Sequence, residues 1–305
     1  MRGPPAGSDG LLIRAEPGYS FTVPELPEVE SARAVIERSA LRRRIVDVDD
    51  TDSWVCRPHS AGELRDALAG HQLRAAHRRG KSIWCEVTGG APVLGIHLGM
   101  SGRIHVSRKG RADDEGGDYV GSGGAASNRA VKPEWDRFTL VFADGGSLRL
   151  FDKRRLGRVR LDPDIDALGP DAGEVGLAEL RAALGRSHMP VKARLLDQHA
   201  IAGVGNLLAD EALWQAALDP RRPADELDRE EVAVLHRKLR AAIRHAVKRG
   251  GVHTGEIIEH RRRGDHCPRC GAPMQRDTVG GRTTWFCSSE QAAARNERRP
   301  WAREG

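Results

Sequence analysis

Val23-Pro24-Glu25-Leu26-Pro27-Glu28-Val29-Glu30 is where folded sequence begins. Ahead of it, residues 1–22 hold Pro4, Pro5, Pro17 and four glycines, which break any periodicity, and Leu11-Leu12-Ile13 is too short for a signal-peptide core. Within the opening stretch, Pro27 falls in the first turn of a helix, where a missing N–H costs least. Glu28 and Glu30 sit at the positive end of the helix dipole. Val29, Ala32, Val35 and Ile36 then share one face.

Working outward, short β-type runs follow at Ile45–Val48, Ser82–Val87, Val93–His97, Arg103–Val106, Phe138–Phe142 and Ser147–Phe151, interrupted by a brief helix at Ala61–Leu68. Strands at this spacing predict an antiparallel sandwich. The glycine-rich stretch between Arg108 and Pro133 reads as a loop. From about Leu177 the period turns helical. Asp228 and Glu231 form a capping-box pair, and Val232, Leu235, Leu239, Ile243 and Ala246 mark a buried face that Gly250-Gly251 closes. The fold class expected is α+β: a β-sandwich domain over residues 24–160, a helical domain over 175–255, a cysteine-bearing hairpin over 260–291 and a basic tail over 292–305.

The chain has 305 residues, 39% of them apolar, which is enough for real cores. Its 49 basic residues against 43 acidic give a net charge of +6, and seven of the 49 are lysines, leaving 42 arginines. An anionic partner is favoured, although a GC-rich genome explains most of the arginine excess. Between Arg261 and the C-terminus stand ten arginines and five acidic residues, so most of the net charge sits where a phosphate backbone could use it. No apolar run approaches the roughly 18–20 residues that span a membrane. Five cysteines, an odd number, argue against a secreted disulfide framework. A cytoplasmic, nucleoid-associated location without membrane contact is expected.

Cys267-Pro268-Arg269-Cys270, sixteen residues and then Cys287 begin a four-cysteine zinc ribbon, but Glu290 occupies the fourth position. Three thiolates and a carboxylate can hold zinc, with His266 as a substitute ligand; a hairpin folded around Trp285 and Phe286 needs no metal. Gly203-Val204-Gly205-Asn206 precedes an apolar run from Leu207 to Leu218, a glycine turn whose following amides could receive phosphate.

The opening stretch together with Arg79-Gly80-Lys81, His97-Leu98-Gly99-Met100-Ser101-Gly102, Asp152-Lys153-Arg154-Arg155-Leu156-Gly157, the glycine turn and the cysteine tail resembles, in order, the formamidopyrimidine-DNA glycosylase/endonuclease VIII family. The resemblance runs from Pro24 to about Gln291. It implies a sandwich facing a helix–two-turn–helix domain with a C-terminal zinc-ribbon-like β-hairpin, a monomer acting on damaged double-stranded DNA. It also implies removal of oxidised bases such as 8-oxoguanine and formamidopyrimidines, followed by β,δ-elimination at the abasic strand. Pro24 would be the nucleophile, its secondary amine attacking C1′ to give a Schiff base, and Glu25 the acid protonating the deoxyribose ring oxygen. Lys81 would assist β-elimination and Arg282 δ-elimination. Lys192, Asn206 and Arg155 are expected to contact phosphate or backbone, against blander readings of Lys192 as solvated surface and Asn206 as a helix cap. Met100, Arg155 and Leu156 would fill the space of the flipped nucleotide.

This sequence departs from the family pattern in four places. A proline amide inside a chain cannot attack, so the expectation is that translation starts at Val23, from a GTG codon, and that the initiator is removed. Glu290 replaces the last cysteine. Leu156 replaces the usual phenylalanine wedge, predicting weakened lesion searching. Trp135 stands where a histidine is common and reads as packing at a loop's foot. Cys56 and Cys85 read as buried inert thiols. Two other readings remain open: an endonuclease VIII-like preference for oxidised pyrimidines, and a damaged-DNA-binding protein without catalysis.

Overall fold

The computed structural model describes residues 24–109, 113–117 and 132–292. The N-terminal extension, the middle of the glycine-rich stretch and residues 293–305 of the basic tail lie outside the described residues.

Helix α1 (Leu26–Ser39) starts after Glu25 with Pro27 in its first turn, as the sequence predicts. Among the described residues, nine antiparallel strands follow in two sheets. One is ordered β1 (Ile45–Asp49), β7 (Asp136–Phe142), β8 (Ser147–Phe151), β5 (Arg103–Val106), β6 (Asp114–Gly117). The other runs β2 (Leu73–Arg79), β3 (Ser82–Val87), β4 (Leu94–His97), β9 (Arg158–Leu161). Alternating side chains from both sheets, among them Ile45, Leu73, Ile83, Leu94, Ile104, Phe138 and Leu150, enclose one core with Val29, Val35 and Ile36 of α1. Strands β2, β6 and β9 escape a reading of apolar alternation because they bury so little: β2 is Leu-Arg-Ala-Ala-His-Arg-Arg, with only Leu73 and Ala76 inside. Helix α2 (Glu63–Leu68) starts two residues later than expected, after Gly62 at φ +93°, and the Asp50 carboxylate receives the amides of Gly62, Leu64 and Arg65.

The second half is helical: α3 (Leu177–Gly185), α4 (Val191–Leu196), α5 (Asn206–Gln215) and α6 (Arg229–Arg249). Asp228 caps α6 by accepting from Glu230 N and Glu231 N, the Glu231 carboxylate returns to Asp228 N, and Gly250 ends the helix at φ +93°. The apolar face predicted for α6 is buried against α3 and α5. Helices α4 and α5 are joined by two tight turns, Asp197 O accepting from Ala200 N and Ile201 N before Gly203-Val204-Gly205 enters α5. Strands β10 (Met274–Val279) and β11 (Arg282–Cys287) form the terminal hairpin, with Val279 paired to Arg282 across its turn. Trp214 of α5 packs with Ile257, Cys267, Met274, Trp285 and Cys287 to seat it.

Arg78 and Gly80 help lock the halves together through Asp171. Arg78 at the end of β2 donates to Asp171 (2.5 Å) and to Glu30 of α1 (3.0 Å), and the same Asp171 carboxylate accepts Gly80 N at 2.7 Å. Gly80 has φ +58°, and a Cβ there would lie 2.6 Å from the Cβ of Ala202, so the β2–β3 turn reaches the helical half only as glycine.

Candidate active site

The site grows from the join between the two halves. Pro24 and Glu25 are buried at the start of α1, whose Leu26 N donates to Gly203 O. The Glu25 carboxyl reaches across to the first turn of α5. Its Oε2 accepts Gly205 N and Leu208 N, each at 3.0 Å, and its Oε1 accepts Leu207 N at 2.8 Å. These are amides that a helix leaves unpaired at its N-terminus. A side chain about 180 residues away in sequence therefore caps α5, and Asn206, read as a possible cap, is instead its first helical residue. Gly205 is obligatory, because a Cβ there would stand 2.2 Å from Glu25 Cδ. Burial pushes the Glu25 pKa up; Lys81 and the three amides pull it down without cancelling that rise.

Lys81 is half-buried in the β2–β3 turn. Burial pushes its pKa down, Glu25 and Glu28 oppose this, and the Arg282 guanidinium adds to it. The three groups that the sequence assigned to acid, lysine and finger arginine thus share one electrostatic neighbourhood. Glu28 joins them. Its Oε2 accepts Glu25 N at 3.0 Å and its Oε1 accepts Val252 N at 2.7 Å, and burial pushes its pKa up to about 8. His97 at the end of β4 is held neutral, its pKa pushed down to about 4 by burial and by the nearby Lys81 and Arg160, and its Nδ1 accepts Gly99 N. The sequence reading gave Glu28 only a place at the helix dipole and His97 no role of its own, since nothing local marks a carboxyl or imidazole as buried.

Lys192 is not the solvated residue of the bland reading. It is fully buried, ion-paired to Asp210 at 2.6 Å and bonded to Thr284 Oγ1 at 2.7 Å and Thr283 O at 3.2 Å. Its ammonium is thereby engaged by α5 and the hairpin, which excludes the reading of a solvated surface lysine. Asn206 Nδ2 donates to the same Thr283 carbonyl at 3.0 Å. Both side chains therefore fix the residue next to Arg282, which stands exposed at the start of β11.

A second group lies on the sandwich. Asp152 is fully buried and its carboxylate accepts from Leu156 N and Gly157 N, each 2.7 Å, Arg154 N at 3.0 Å and Ser101 Oγ at 3.2 Å. One carboxylate thus shapes both the loop carrying Arg155 and Leu156 and the turn carrying Met100. Gly99, at φ +64°, lets the two touch; a Cβ there would meet the Leu156 carbonyl carbon at 2.4 Å. Met100 and Leu156 are exposed apolar side chains at 39% and 40%, too open for core residues. Arg155 is exposed, adopts φ +55° and forks onto Asp52 at 2.8 and 2.9 Å. Trp135 packs edge-on against Phe151, with Lys132 and Lys153 over its ring, as a packing residue should. Cys56 and Cys85 are buried, and burial pushes each thiol up to about 12.

At the base of the hairpin, ligand atoms of Cys267, Cys270, Cys287 and Glu290 lie within 4.8 Å of one another. Zinc–sulfur bonds of about 2.3 Å in a tetrahedron place sulfurs about 3.8 Å apart, and Cys270 and Cys287 Sγ stand 3.4 Å apart. The donor set fits a metal ion.

A sandwich joined to a helix–two-turn–helix unit, with a buried acid, a lysine and a finger arginine converging at the join, is the architecture of a DNA-glycosylase class of protein. The formamidopyrimidine-DNA glycosylase N-terminal domain profile matches residues 23–159, and the H2TH domain profile of the same enzymes matches residues 167–256. A formamidopyrimidine-DNA glycosylase of Acidithiobacillus ferrooxidans is 32% identical over 291 residues, covering 88% of this chain and all of the relative. One of Salinispora arenicola is 33% identical, covering 87% of this chain and 95% of its own. Lactococcus lactis Fpg complexed with abasic-site DNA superposes with a TM-score of 0.72 at 27% identity, and MutM complexed with carbocyclic 8-oxo-G DNA with 0.73 at 27%; each covers 88% of this chain and all of the other. The chain belongs to the formamidopyrimidine-DNA glycosylase family. Among the described residues, no helix is long and apolar enough to cross a membrane.

Proposed function

We propose that this chain is an oxidised-base DNA glycosylase and abasic-site lyase acting on damaged duplex DNA. The observation that carries the reading is the Glu25 carboxyl, adjacent in sequence to Pro24, held on the α5 amides with its pKa raised and Lys81 beside it. Pro24 supplies the amine. Its N–C1′ bond forms as the damaged base departs, while Glu25 gives its proton to the ring oxygen and so opens the sugar to a Schiff base. Loss of the C2′ proton then expels the 3′ phosphate. Lys81 assists that step, and Arg282 the second elimination. An α-amine is less basic than a lysine, so more of it is neutral at pH 7. The reading requires a free Pro24 nitrogen and therefore a mature chain that starts there.

Met100, Arg155 and Leu156 enter the duplex where the damaged nucleotide leaves the stack, and Asn206 and Lys192 hold Thr283, next to Arg282, in place. Zinc is the metal the cysteine cluster would hold; its contribution is to brace the hairpin, through Cys267, Cys270, Cys287 and Glu290.

Borohydride trapping tests the proposal. Protein beginning at Pro24 is expected to give a covalent adduct on duplexes carrying 8-oxoguanine or an abasic site, and Pro24→Gly to abolish it. Glu25→Gln should lower base excision by at least ~100-fold, the scale of lost acid catalysis. DNA binding with no adduct on either duplex would instead make this a damage-recognition protein. A parallel duplex carrying an oxidised pyrimidine decides the preferred lesion.

A further inference from the structure

Glu290 stands where a four-cysteine ribbon has its last thiolate, and its surroundings are specific. Arg269, between the first two cysteines, donates Nε to Glu290 Oε2 at 2.5 Å, and its Nη2 reaches the same oxygen. Neither bond uses Oε1. Arg269 is itself immobilised: Nη2 donates to Trp214 O at 2.9 Å, and the guanidinium carbon lies 4.4 Å above the Trp214 ring. That indole in turn donates Nε1–H to Cys267 Sγ at 3.3 Å. Cys287 Sγ receives the amides of Ser289 and Glu290, each at 3.4 Å. Two amides are thus aimed at one sulfur of the ligand set. Cysteine, indole, guanidinium and carboxylate thus run in a chain that starts and ends on the ligand set.

We propose that Arg269 is a positioning residue for a three-thiolate, one-carboxylate metal site: it grips Glu290 Oε2 and leaves Oε1 as the fourth ligand. Two consequences follow from ligand chemistry. A carboxylate oxygen is a harder donor than a thiolate, and part of its charge is shared with the guanidinium, so a borderline-soft ion is bound less firmly on that side than in an all-cysteine ribbon. The metal of this chain therefore exchanges faster than in a four-cysteine site. Loss of a hydrogen-bonded partner behind a ligand typically costs about 10–100-fold in metal affinity, which sets the size of the Arg269 effect. The inference depends on the cluster holding a metal and is independent of the proposed catalytic chemistry.

The test uses the full chain, stripped of metal and reloaded with cobalt(II), whose visible spectrum reports the number of thiolates and the geometry around the ion. Wild type is expected to show a tetrahedral spectrum with charge-transfer intensity for three thiolates. Glu290→Cys should raise that intensity by one thiolate and slow metal release to a chelator by about tenfold or more. Arg269→Gln should weaken cobalt binding ~10–100-fold and shift the ligand-field bands, with Arg269→Lys restoring part of both. Spectra and release rates unchanged in Glu290→Gln and Arg269→Gln would overturn the proposal, as would failure of the reduced wild-type chain to bind cobalt. X-ray absorption of the zinc-loaded wild type needs no variant: three sulfurs and one oxygen are expected, and outer-shell imidazole scattering from His266 would overturn the assignment.

Discussion

At Glu28 the physics of burial makes a prediction opposite to the usual carboxylate. Its folded pKa of about 8 lies above the unfolded value of 4.5, so between those values the folded chain keeps a proton that the unfolded chain releases. Stability must therefore fall as pH rises through that window, by at most about 1.4 kcal/mol per pH unit, and level off above it. Glu28→Gln should flatten this part of the profile, read as melting temperature against pH. Single residues also show where sequence reading stops. Pro24, Glu25 and Lys81 were legible as candidates because residue type and local motif mark them. What holds Glu25 was not, since its partners are backbone amides of Gly205, Leu207 and Leu208, and an N–H carries no signature in sequence. The burial of Lys192 was hidden for a related reason: its partner Asp210 arrives eighteen residues later, on another helix.

Among the elements, the hairpin shows how a small sheet is held by its neighbours. Asp210 of α5 receives Arg261 at 2.9 Å and Trp285 N at 3.2 Å as well as Lys192, so one buried carboxylate ties α4, α5 and β11. Asp210→Ala strands a buried ammonium and should cost about 3–5 kcal/mol, measured by chemical denaturation. In the same variant, hydrogen exchange across residues 274–287 should rise first. The long helix α6 and the strands with alternating apolar residues were readable because their periodicity is set by burial on one face. Strands β2 and β9 were not, because most of their residues are only half covered. The turn motifs were visible as strings, but only three dimensions show why Gly80 and Gly99 are glycine: each lies against another backbone.

Over the whole molecule, Asp171, Glu25, Glu28 and Leu26 are among the groups through which the two halves meet. Asp171 accepts three hydrogen bonds from the sandwich half, from both Arg78 η-nitrogens and Gly80 N, and the Leu26 side chain belongs to the helical core while Val29 onward belongs to the sandwich. Asp171→Ala is expected to separate a single calorimetric transition into two, and to depress base excision more than it depresses stability of either half. The sandwich-plus-helical division was readable from the change of period near Leu177; the lock between the divisions was not, as Arg78 and Asp171 look like ordinary surface charges. The placement of Glu25 has a further consequence. The carboxyl belongs to one half, while the burial and the helix N-terminus that set its proton affinity come from the other. With the halves apart, Glu25 would be hydrated and ionised at neutral pH like any glutamate, and it would have no proton to give. Acid strength is thus a readout of domain docking. On the role proposed for Glu25, a chain that loosens at this seam should lose base excision, and a titration of Glu25 would follow that loosening directly.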